Sequence, residues 1–368
     1  MSLAGGVARQ TRRLETELLT YPPVVRALSG YVDVLGRNEL LARGTRLLID
    51  AGGALAHAQE RQLRWAAHAV GATTRTERRV QREREARAKL RAEAGAEPLP
   101  AGREPAVHWH EGGSGRLVVL LNGWTASGLL WPGALLGALE ERFRVVRVDN
   151  RGSGWSRSAP SPYSIPRMAD DVAEVLEVVD GGPATVVGLS MGGMIAQELA
   201  LRHPRLVERL VLVGTRPPAP AHIPSPPEVF AGMLEPPEPG QALREYLRES
   251  WRPQFAAEFL AEHPEVLDEV VDRVVARPTP RRAVLEQLRA VSTWTGPDRL
   301  SSIAVPTTIV HGDRDRLMPV GNGIRLARLI PGARYAEYAG VGHLVPFEAP
   351  AVLAEVVREA AGGRRRRR

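Results

Sequence analysis

The feature that most constrains this chain is a serine between two glycines, where a predicted strand is followed at once by a predicted helix. Ser190 lies in Gly188-Leu189-Ser190-Met191-Gly192, after the apolar run 185–187 and before the helical segment 191–202. A serine in so tight a turn has a strained backbone, and its neighbours two residues away must lack a Cβ. The turn exposes the hydroxyl beside the positive end of the helix dipole. The pattern predicts Ser190 as a nucleophile; the alternative is a glycine-rich turn with a structural serine.

A serine hydroxyl needs a general base, and the base needs an acid that orients it. His343 lies between glycine and leucine on a loop after a predicted strand, and Asp313 and Asp315 lie on the loop after strand 307–310. The chain order Ser, Asp, His predicts His343 as the base, the alternative being a capping or core histidine. Asp315 is preferred as the acid because the His-Gly-x-x-Asp pattern places it there. Asp313 is the alternative acid, and His311 is expected to form structural hydrogen bonds.

Two backbone N–H groups are expected to stabilise the oxyanion of an acyl-transfer intermediate. Met191, directly after the nucleophile, supplies one of them. The loop after strand 117–121 reads Asn122-Gly123-Trp124, and Gly123 allows close backbone approach. The N–H of Trp124 is therefore predicted as the second donor.

From residue 103 onward, short apolar runs alternate with helical stretches, which predicts an α/β fold with a mostly parallel sheet covered by helices on both faces. The interval 215–302 interrupts this alternation, and its proline-rich and helical composition predicts a helical cap over the sheet. The glycine-rich segment 112–115 predicts a hairpin-like opening between the first two strands. The predicted strands are 107–110, 117–121, 145–148, 186–189, 210–213, 307–310 and 334–338, and the predicted helices lie near 131–141, 167–179, 191–202, 320–330 and 350–361.

Three parts follow from composition: an Arg-rich helical extension with its linker at 1–102, a catalytic domain at 103–361 and a basic tail at 362–368. The net charge of +7 comes from the two ends, whereas the middle is slightly acidic. Segment 74–94 has charge pairs four residues apart and predicts a solvated helix. The extension is interpreted as a support helix, with contact to a protein partner or an anionic surface as the alternative. No aromatic-interleaved basic patch predicts specific nucleic-acid binding.

The chain contains no cysteine, which excludes a disulfide framework, a thiolate nucleophile and a Cys-ligated metal. Its N-terminus has no apolar stretch after a basic start, and no window approaches the roughly 20 apolar residues of a membrane span. A cytoplasmic location is expected, with peripheral association with an anionic membrane surface as an alternative.

Four separated motifs together resemble the α/β-hydrolase superfamily over about 103–361, as a single-domain serine esterase-like or lactonase-like member with a cap. They are Asn122-Gly123-Trp124, the Asp-x-Arg-Gly-x-Gly-x-Ser loop at 149–156, the serine turn, and Asp315 with His343. The resemblance implies that loop 149–156 braces the site. The superfamily usually has histidine where Asn122 stands, and the extension and tail match nothing in its common pattern. Ser190 argues against members that use an aspartate or cysteine nucleophile.

The resemblance implies a hydrolase of carboxylic esters or lactones that works through an acyl-serine intermediate and needs no cofactor. A thioesterase, an acyltransferase or a carbon–carbon bond hydrolase could use the same triad, with a small ester, lactone or thioester as substrate. Outside enzymes, the alternative is a ligand-binding or scaffold protein that works through the basic N-terminal helices. No phosphate loop, zinc-spaced histidine set or nicotinamide fingerprint is found. The substrate pocket is assigned to four aromatic residues, with cap-to-core packing as the alternative: Trp155, Trp251, Phe255 and Trp294.

Overall fold

A computed structural model describes residues 75–93 and 104–362. The predictions for residues 1–74, for the linker at 94–103 and for the tail from 363 onward lie outside the described residues. Within the described part, no helix combines the length and the apolar character that crossing a membrane requires.

The strands of the described chain form one seven-stranded sheet in the order β1-β3-β2-β4-β5-β6-β7. Neighbouring strands are parallel, except that β1 is antiparallel to β3. This mostly parallel sheet confirms the fold class that the strand–helix alternation predicted. The strands are β1 (Trp109–Gly112), β2 (Arg116–Leu121), β3 (Phe143–Val148), β4 (Ala184–Leu189), β5 (Val207–Val213), β6 (Thr307–Gly312) and β7 (Arg334–Tyr338).

The expected hairpin between the first two strands is wrong. β1 pairs with β3, which lies between β1 and β2. The turn after β1 passes directly over the start of β3: Gly113 has a φ of 68°, and a Cβ there would collide with the carbonyl oxygen of Phe143. The glycines therefore allow the chain to cross the neighbouring strand, which a glycine-rich sequence cannot distinguish from a tight hairpin turn.

Helices cover both faces of the sheet. Alternate side chains of β2 point to opposite faces, so that Val119 and Leu121 join one buried apolar cluster and Val118 and Leu120 join the other. The α-helices are α1 (Arg75–Glu93), α2 (Gly133–Glu140), α3 (Ile165–Val179), α4 (Met191–Arg202), α5 (Pro227–Leu234), α6 (Leu243–Trp251), α7 (Ala257–Glu262), α8 (Pro264–Ala276), α9 (Arg281–Ser292), α10 (Gly321–Leu329), α11 (Val345–Glu348) and α12 (Pro350–Gly362). The first cluster contains residues of α3, α4 and α10, whereas the second contains residues of α2 and α12.

Five helices, α5 to α9, lie between β5 and β6, inside the interval assigned to the cap. Leu247 of α6 and Val270 of α8 join one apolar cluster of the sheet, and Ala283 and Ala290 of α9 join the other. The helical insertion therefore packs on the cores of both faces.

Residues 80–93 of helix α1 are mostly exposed, as its charge pattern predicted, but one face of the helix packs on the domain. Arg87 is 4% exposed and Glu83 is 8% exposed, and the two form an ion pair of 2.9 Å. The guanidinium of Arg87 also donates to the backbone oxygens of Trp155 (2.6 Å) and Ala106 (3.2 Å). Because a buried arginine must satisfy its N–H groups, these bonds fix one face of α1 to the domain.

Candidate active site

Ser190 occupies a strained turn between β4 and α4, with φ 55° and ψ −119°. A residue with a Cβ rarely has such a backbone. A Cβ on Gly192 would collide with the carbonyl oxygen of Leu121, and one on Gly188 would collide with the carbonyl oxygen of Gly192. Both glycines are therefore needed for the helix to begin directly against the neighbouring strand.

His343 and Asp315 form a buried pair. The Nδ1 atom of His343 lies 2.7 Å from Oδ2 of Asp315, and the two side chains are 2% and 0% exposed. The other carboxylate oxygen, Oδ1, accepts the backbone N–H groups of Leu317 (2.9 Å) and Met318 (2.7 Å). The carboxylate is thus held in one orientation and keeps an oxygen for the imidazole.

Asp313, the alternative acid, does not contact His343. Its Oδ1 accepts the backbone N–H of Gly340 at 2.7 Å, which holds the loop after β7. Of the two aspartates, the structure places Asp315 beside the histidine and Asp313 on the loop surface.

His311 lies next to Asp315 and forms a hydrogen bond to the backbone, the kind of structural contact that the sequence analysis expects of it. Its Nε2 is 2.6 Å from the backbone oxygen of Met318 and 3.4 Å from Oδ2 of Asp315. Burial lowers the pKa of His311, but contact with Asp315 more than offsets it, so the pKa rises above its usual value. Burial likewise raises the pKa of Asp315, but attraction to His343 and His311 outweighs it and lowers the pKa to about 2. Asp315 is therefore ionised at neutral pH.

The loop after β2 lies alongside the nucleophile. A Cβ built on Gly123 would be 3.2 Å from Cβ of Ser190 and 3.7 Å from its Oγ. Asn122 shapes this loop, since its Nδ2 donates to the backbone oxygen of Ser127 (2.8 Å) and its Oδ1 accepts the N–H of Gly123 (3.1 Å). Asn122 thus supports the loop where the superfamily usually has histidine, and the backbone that leads to Trp124 is beside Ser190.

Helix α9 of the cap and the segment directly before it hold the same loop, which the sequence did not reveal. Gln287, fully buried, accepts the backbone N–H of Thr125 at 2.9 Å. The indole N–H of Trp124 donates to the backbone oxygen of Val284 (2.9 Å), and the hydroxyl of Thr279 donates to the backbone oxygen of Thr125 (2.6 Å). No local motif marks these cap residues.

A small cavity of about 20 Å³ lies beside the nucleophile. Trp251, predicted for the pocket, contributes to its wall. Met233, Gln254 and Leu317 also line it, and no sequence motif marks them. Residues that line it include Ser190, His343, Trp124, Trp251, Met233 and Leu317.

Three of the four aromatic residues assigned to the pocket lie elsewhere. Phe255 lines a separate groove of about 690 Å³ next to Asp315. Trp155 stacks under the guanidinium of Arg277, 3.5 Å from the ring centre. Trp294 is buried in the core, where its indole N–H donates to Glu198 (3.0 Å). The two cap rings, Phe255 and Trp294, are buried in the apolar clusters, because an aromatic side chain in a cap also has core surface to cover.

Glu348 of α11 supports the loop that carries His343, and no sequence motif marks this role. Its Oε2 accepts the backbone N–H groups of Gly342 (2.8 Å) and Ala256 (3.1 Å). Gly342 directly precedes His343, and Ala256 belongs to the cap. The backbone oxygen of Gln254 in turn accepts the N–H of His343 (2.9 Å). The cap is thus bonded to the loop that carries the histidine.

The sequence pattern of the alpha/beta hydrolase fold family matches residues 116–350 of this chain. The match spans more than half of the chain and includes the serine turn, the histidine and both candidate acids. The chain therefore belongs to the alpha/beta hydrolase fold family.

Three relatives illustrate the range of the family. A non-heme haloperoxidase of Rhodococcus erythropolis is 28% identical over 244 residues, which are 64% of this chain and 89% of that protein. A pimeloyl-[acyl-carrier protein] methyl ester esterase of Aeromonas hydrophila is 29% identical over 257 residues, 68% of this chain and 97% of the esterase. The crystal structure of an enol-lactonase from Burkholderia xenovorans LB400 superposes with a TM-score of 0.60 at 27% identity, covering 70% of this chain and 96% of the lactonase.

Proposed function

We propose that this protein hydrolyses carboxylic esters or lactones through an acyl intermediate on Ser190. The observation that supports the proposal best is the 2.7 Å contact between His343 and Asp315, with His343 and Ser190 in the wall of the same cavity. A histidine that a buried carboxylate orients can act as general base for a serine beside the same cavity. The methyl ester esterase and the enol-lactonase among the relatives act on the same two substrate classes.

In the proposed reaction the Oγ of Ser190 attacks the carbonyl carbon of the substrate while His343 accepts the hydroxyl proton. The backbone N–H groups of Met191 and Trp124 stabilise the oxyanion. His343 gives the proton to the leaving alcohol, or to the ring oxygen of a lactone. Water then attacks the acyl group while His343 accepts its proton, and His343 returns that proton to Oγ of Ser190 as the bond to the acyl group breaks and the acid leaves. Asp315 keeps the imidazole in one tautomer and stabilises its protonated form.

Labelling with a fluorophosphonate, mapped by peptide mass, tests the nucleophile. We expect one adduct on the peptide with Ser190, none in Ser190→Ala, and a greatly reduced amount in His343→Ala. Asp313→Asn is the matched control and should label like the wild type. An adduct on another residue, or none on folded protein, would contradict the proposal.

Substrate class is tested with a panel of short-chain esters, lactones and thioesters in the presence and absence of a competing alcohol. Hydrolysis of esters or lactones to the free acid supports the proposal. A product in which the acyl group is on the added alcohol, with no free acid, would assign the same residues to an acyltransferase instead.

A further inference from the structure

Two histidines and an aspartate meet at the edge of the sheet, away from the serine. His108 and His110 are two residues apart on the first strand and its approach, so their side chains lie on one face. Asp149 directly follows β3, and its backbone N–H donates to the backbone oxygen of His108 (2.9 Å). One potential ligand atom of each of the three side chains lies within 4.8 Å of the other two.

One ring nitrogen of each histidine lacks a short hydrogen bond among the described residues. Nδ1 of His108 is buried without a hydrogen-bond partner, and the buried Nε2 of His110 faces the carboxylate of Asp149 without a short hydrogen bond. His108 is only 2% exposed. Nε2 of His110 lies 3.6 Å from Oδ2 of Asp149, which is too far for a normal hydrogen bond. A buried polar atom without a short hydrogen bond costs free energy, and a cation bound between the two rings and the carboxylate would remove that cost.

The charges around the cluster are compatible with a cation. Asp149 is fully buried, and its carboxylate is held by the backbone N–H groups of Gly128 and Trp155, each at 2.7 Å. The nearby arginines of α1 are both paired, Arg87 with Glu83 and Arg91 with Glu104. The cluster therefore has one fixed negative charge and two imidazoles, with Arg147 and Arg277 as further positive charges that act on Asp149.

We propose that His108, His110 and Asp149 bind a divalent transition-metal ion, zinc before the others. Two imidazoles and a carboxylate form a ligand set that suits zinc, cobalt and nickel but not magnesium or calcium. Zinc bonds of about 2.0–2.1 Å put tetrahedral ligand atoms about 3.3 Å apart, so binding draws the three side chains inward. A water on the side of His110, which is 17% exposed, completes the coordination.

The role of this ion is structural. None of the three residues lines the cavity beside Ser190. The carboxylate of Asp149, at the end of β3, instead accepts the backbone N–H groups of Gly128 and Trp155. The two histidines lie on β1 and its approach, so a shared metal would connect Asp149 to β1. The metal would bind β1, which is the edge strand of the described sheet, to the two loops that follow β2 and β3.

The test uses the full chain, stripped with a chelator and then dialysed against zinc or titrated with cobalt(II). Zinc is counted by elemental mass spectrometry, and cobalt is followed by its visible d–d bands. His110→Ala removes one ligand, and His263→Ala, whose side chain is 51% exposed on the cap, is the matched control. Loss of a residue that hydrogen-bonds to a metal ligand typically lowers the metal affinity 10–100-fold. Loss of the ligand itself should therefore lower the zinc affinity by at least about 100-fold.

For the wild type and for His263→Ala we expect one zinc per chain, cobalt bands typical of nitrogen and oxygen ligands, and a rise in melting temperature when zinc is added. We expect His110→Ala to lose all three. Folded wild-type protein that binds neither ion would overturn the proposal. Equal binding by His110→Ala and His263→Ala would overturn it too. Zinc-free protein should still react with the fluorophosphonate, so this outcome is independent of the proposed esterase activity.

Discussion

The side-chain oxygen of Gln287 accepts a hydrogen bond of 2.9 Å from the backbone N–H of Thr125. Thr125 has a φ of 64°, a conformation that residues other than glycine rarely adopt. The amide of Gln287 also donates to the backbone oxygen of Arg151 (2.8 Å). One cap side chain therefore holds the loop next to Trp124, the residue whose N–H we propose as an oxyanion donor, in a strained shape.

Gln287→Ala should lower kcat by about 10–100-fold with a smaller change in KM, because the oxyanion donor is displaced rather than removed. Steady-state kinetics on the best ester of the panel measures both constants. Gln241→Ala is the control, since Gln241 is a cap glutamine that bonds only to exposed surface groups. A folded Gln287→Ala variant with unchanged kcat would show that the loop keeps its shape unaided.

The sequence was sufficient for those parts of the site that depend on local backbone chemistry. Ser190 lies in the turn that its flanking glycines predicted, and His343 lies on a loop as expected. Such turns depend on residue types that are near in sequence, so a single chain reveals them. The parallel sheet was predictable for the same reason, since each strand is a short apolar run.

Contacts between distant segments were not predictable. Gln287 is 162 residues from Thr125 in the sequence. A glutamine on an amphipathic helix is usually a surface residue, so the sequence does not indicate this contact. Trp155 and Trp294 were assigned to the pocket by residue type alone, whereas packing against Arg277 and Glu198 decides where their rings lie. The crossing of the chain from β1 over β3 to β2 is also decided by tertiary packing, since the glycine-rich turn allows β1 to pair with either strand.

Asp315→Asn should lower kcat/KM by roughly 10⁴-fold, because an amide favours the wrong imidazole tautomer while leaving the geometry intact. Asp313→Asn is the matched control and should stay near wild-type activity, since Asp313 bonds to Gly340 and not to His343. Kinetics of both variants on one ester decides between the two acids. The reverse ranking would make Asp313 the working acid.

Glu348 should make stability depend on pH. Burial raises its pKa from the usual 4.5 to about 7, although the N–H groups of Gly342 and Ala256 act in the opposite direction. Between those pH values the folded state holds a proton that the unfolded state has lost, so this contribution is complete below pH 4.5 and disappears as the pH rises through 7. At about 1.4 kcal/mol per pH unit, up to about 3 kcal/mol is at stake.

Glu348→Gln should therefore flatten the fall in unfolding free energy between pH 5 and pH 8, as measured by urea titration. Glu355→Gln, at a side chain that is 61% exposed on α12, should keep the wild-type profile. If Glu348→Gln and wild-type protein lose stability in parallel over this range, the carboxyl of Glu348 titrates normally.

Met233 should limit the acyl group. The cavity beside Ser190 is about 20 Å³, enough for a water molecule but not for an acyl chain. Met233→Ala should raise the ratio of kcat/KM for hexanoate over acetate esters by about tenfold, because it adds apolar space for several methylenes. Leu243→Ala, at an exposed cap residue, is the control. An unchanged ratio would mean that the acyl chain leaves the cavity in another direction.

Arg87 should determine whether helix α1 stays docked. Its guanidinium pairs with Glu83 and donates to the backbone oxygens of Trp155 and Ala106 in a buried contact. Arg87→Ala leaves the carboxylate of Glu83 buried without its partner, which costs about 3 kcal/mol. Hydrogen–deuterium exchange of the amides in Arg75–Glu93 should then be about 100-fold faster, while the amides of β4 and β5 are unchanged. Arg84→Ala, at a side chain 60% exposed, should leave exchange in the helix as it is. If both variants exchange alike, the helix is held by its other contacts, and the buried pair is a result of docking rather than its cause.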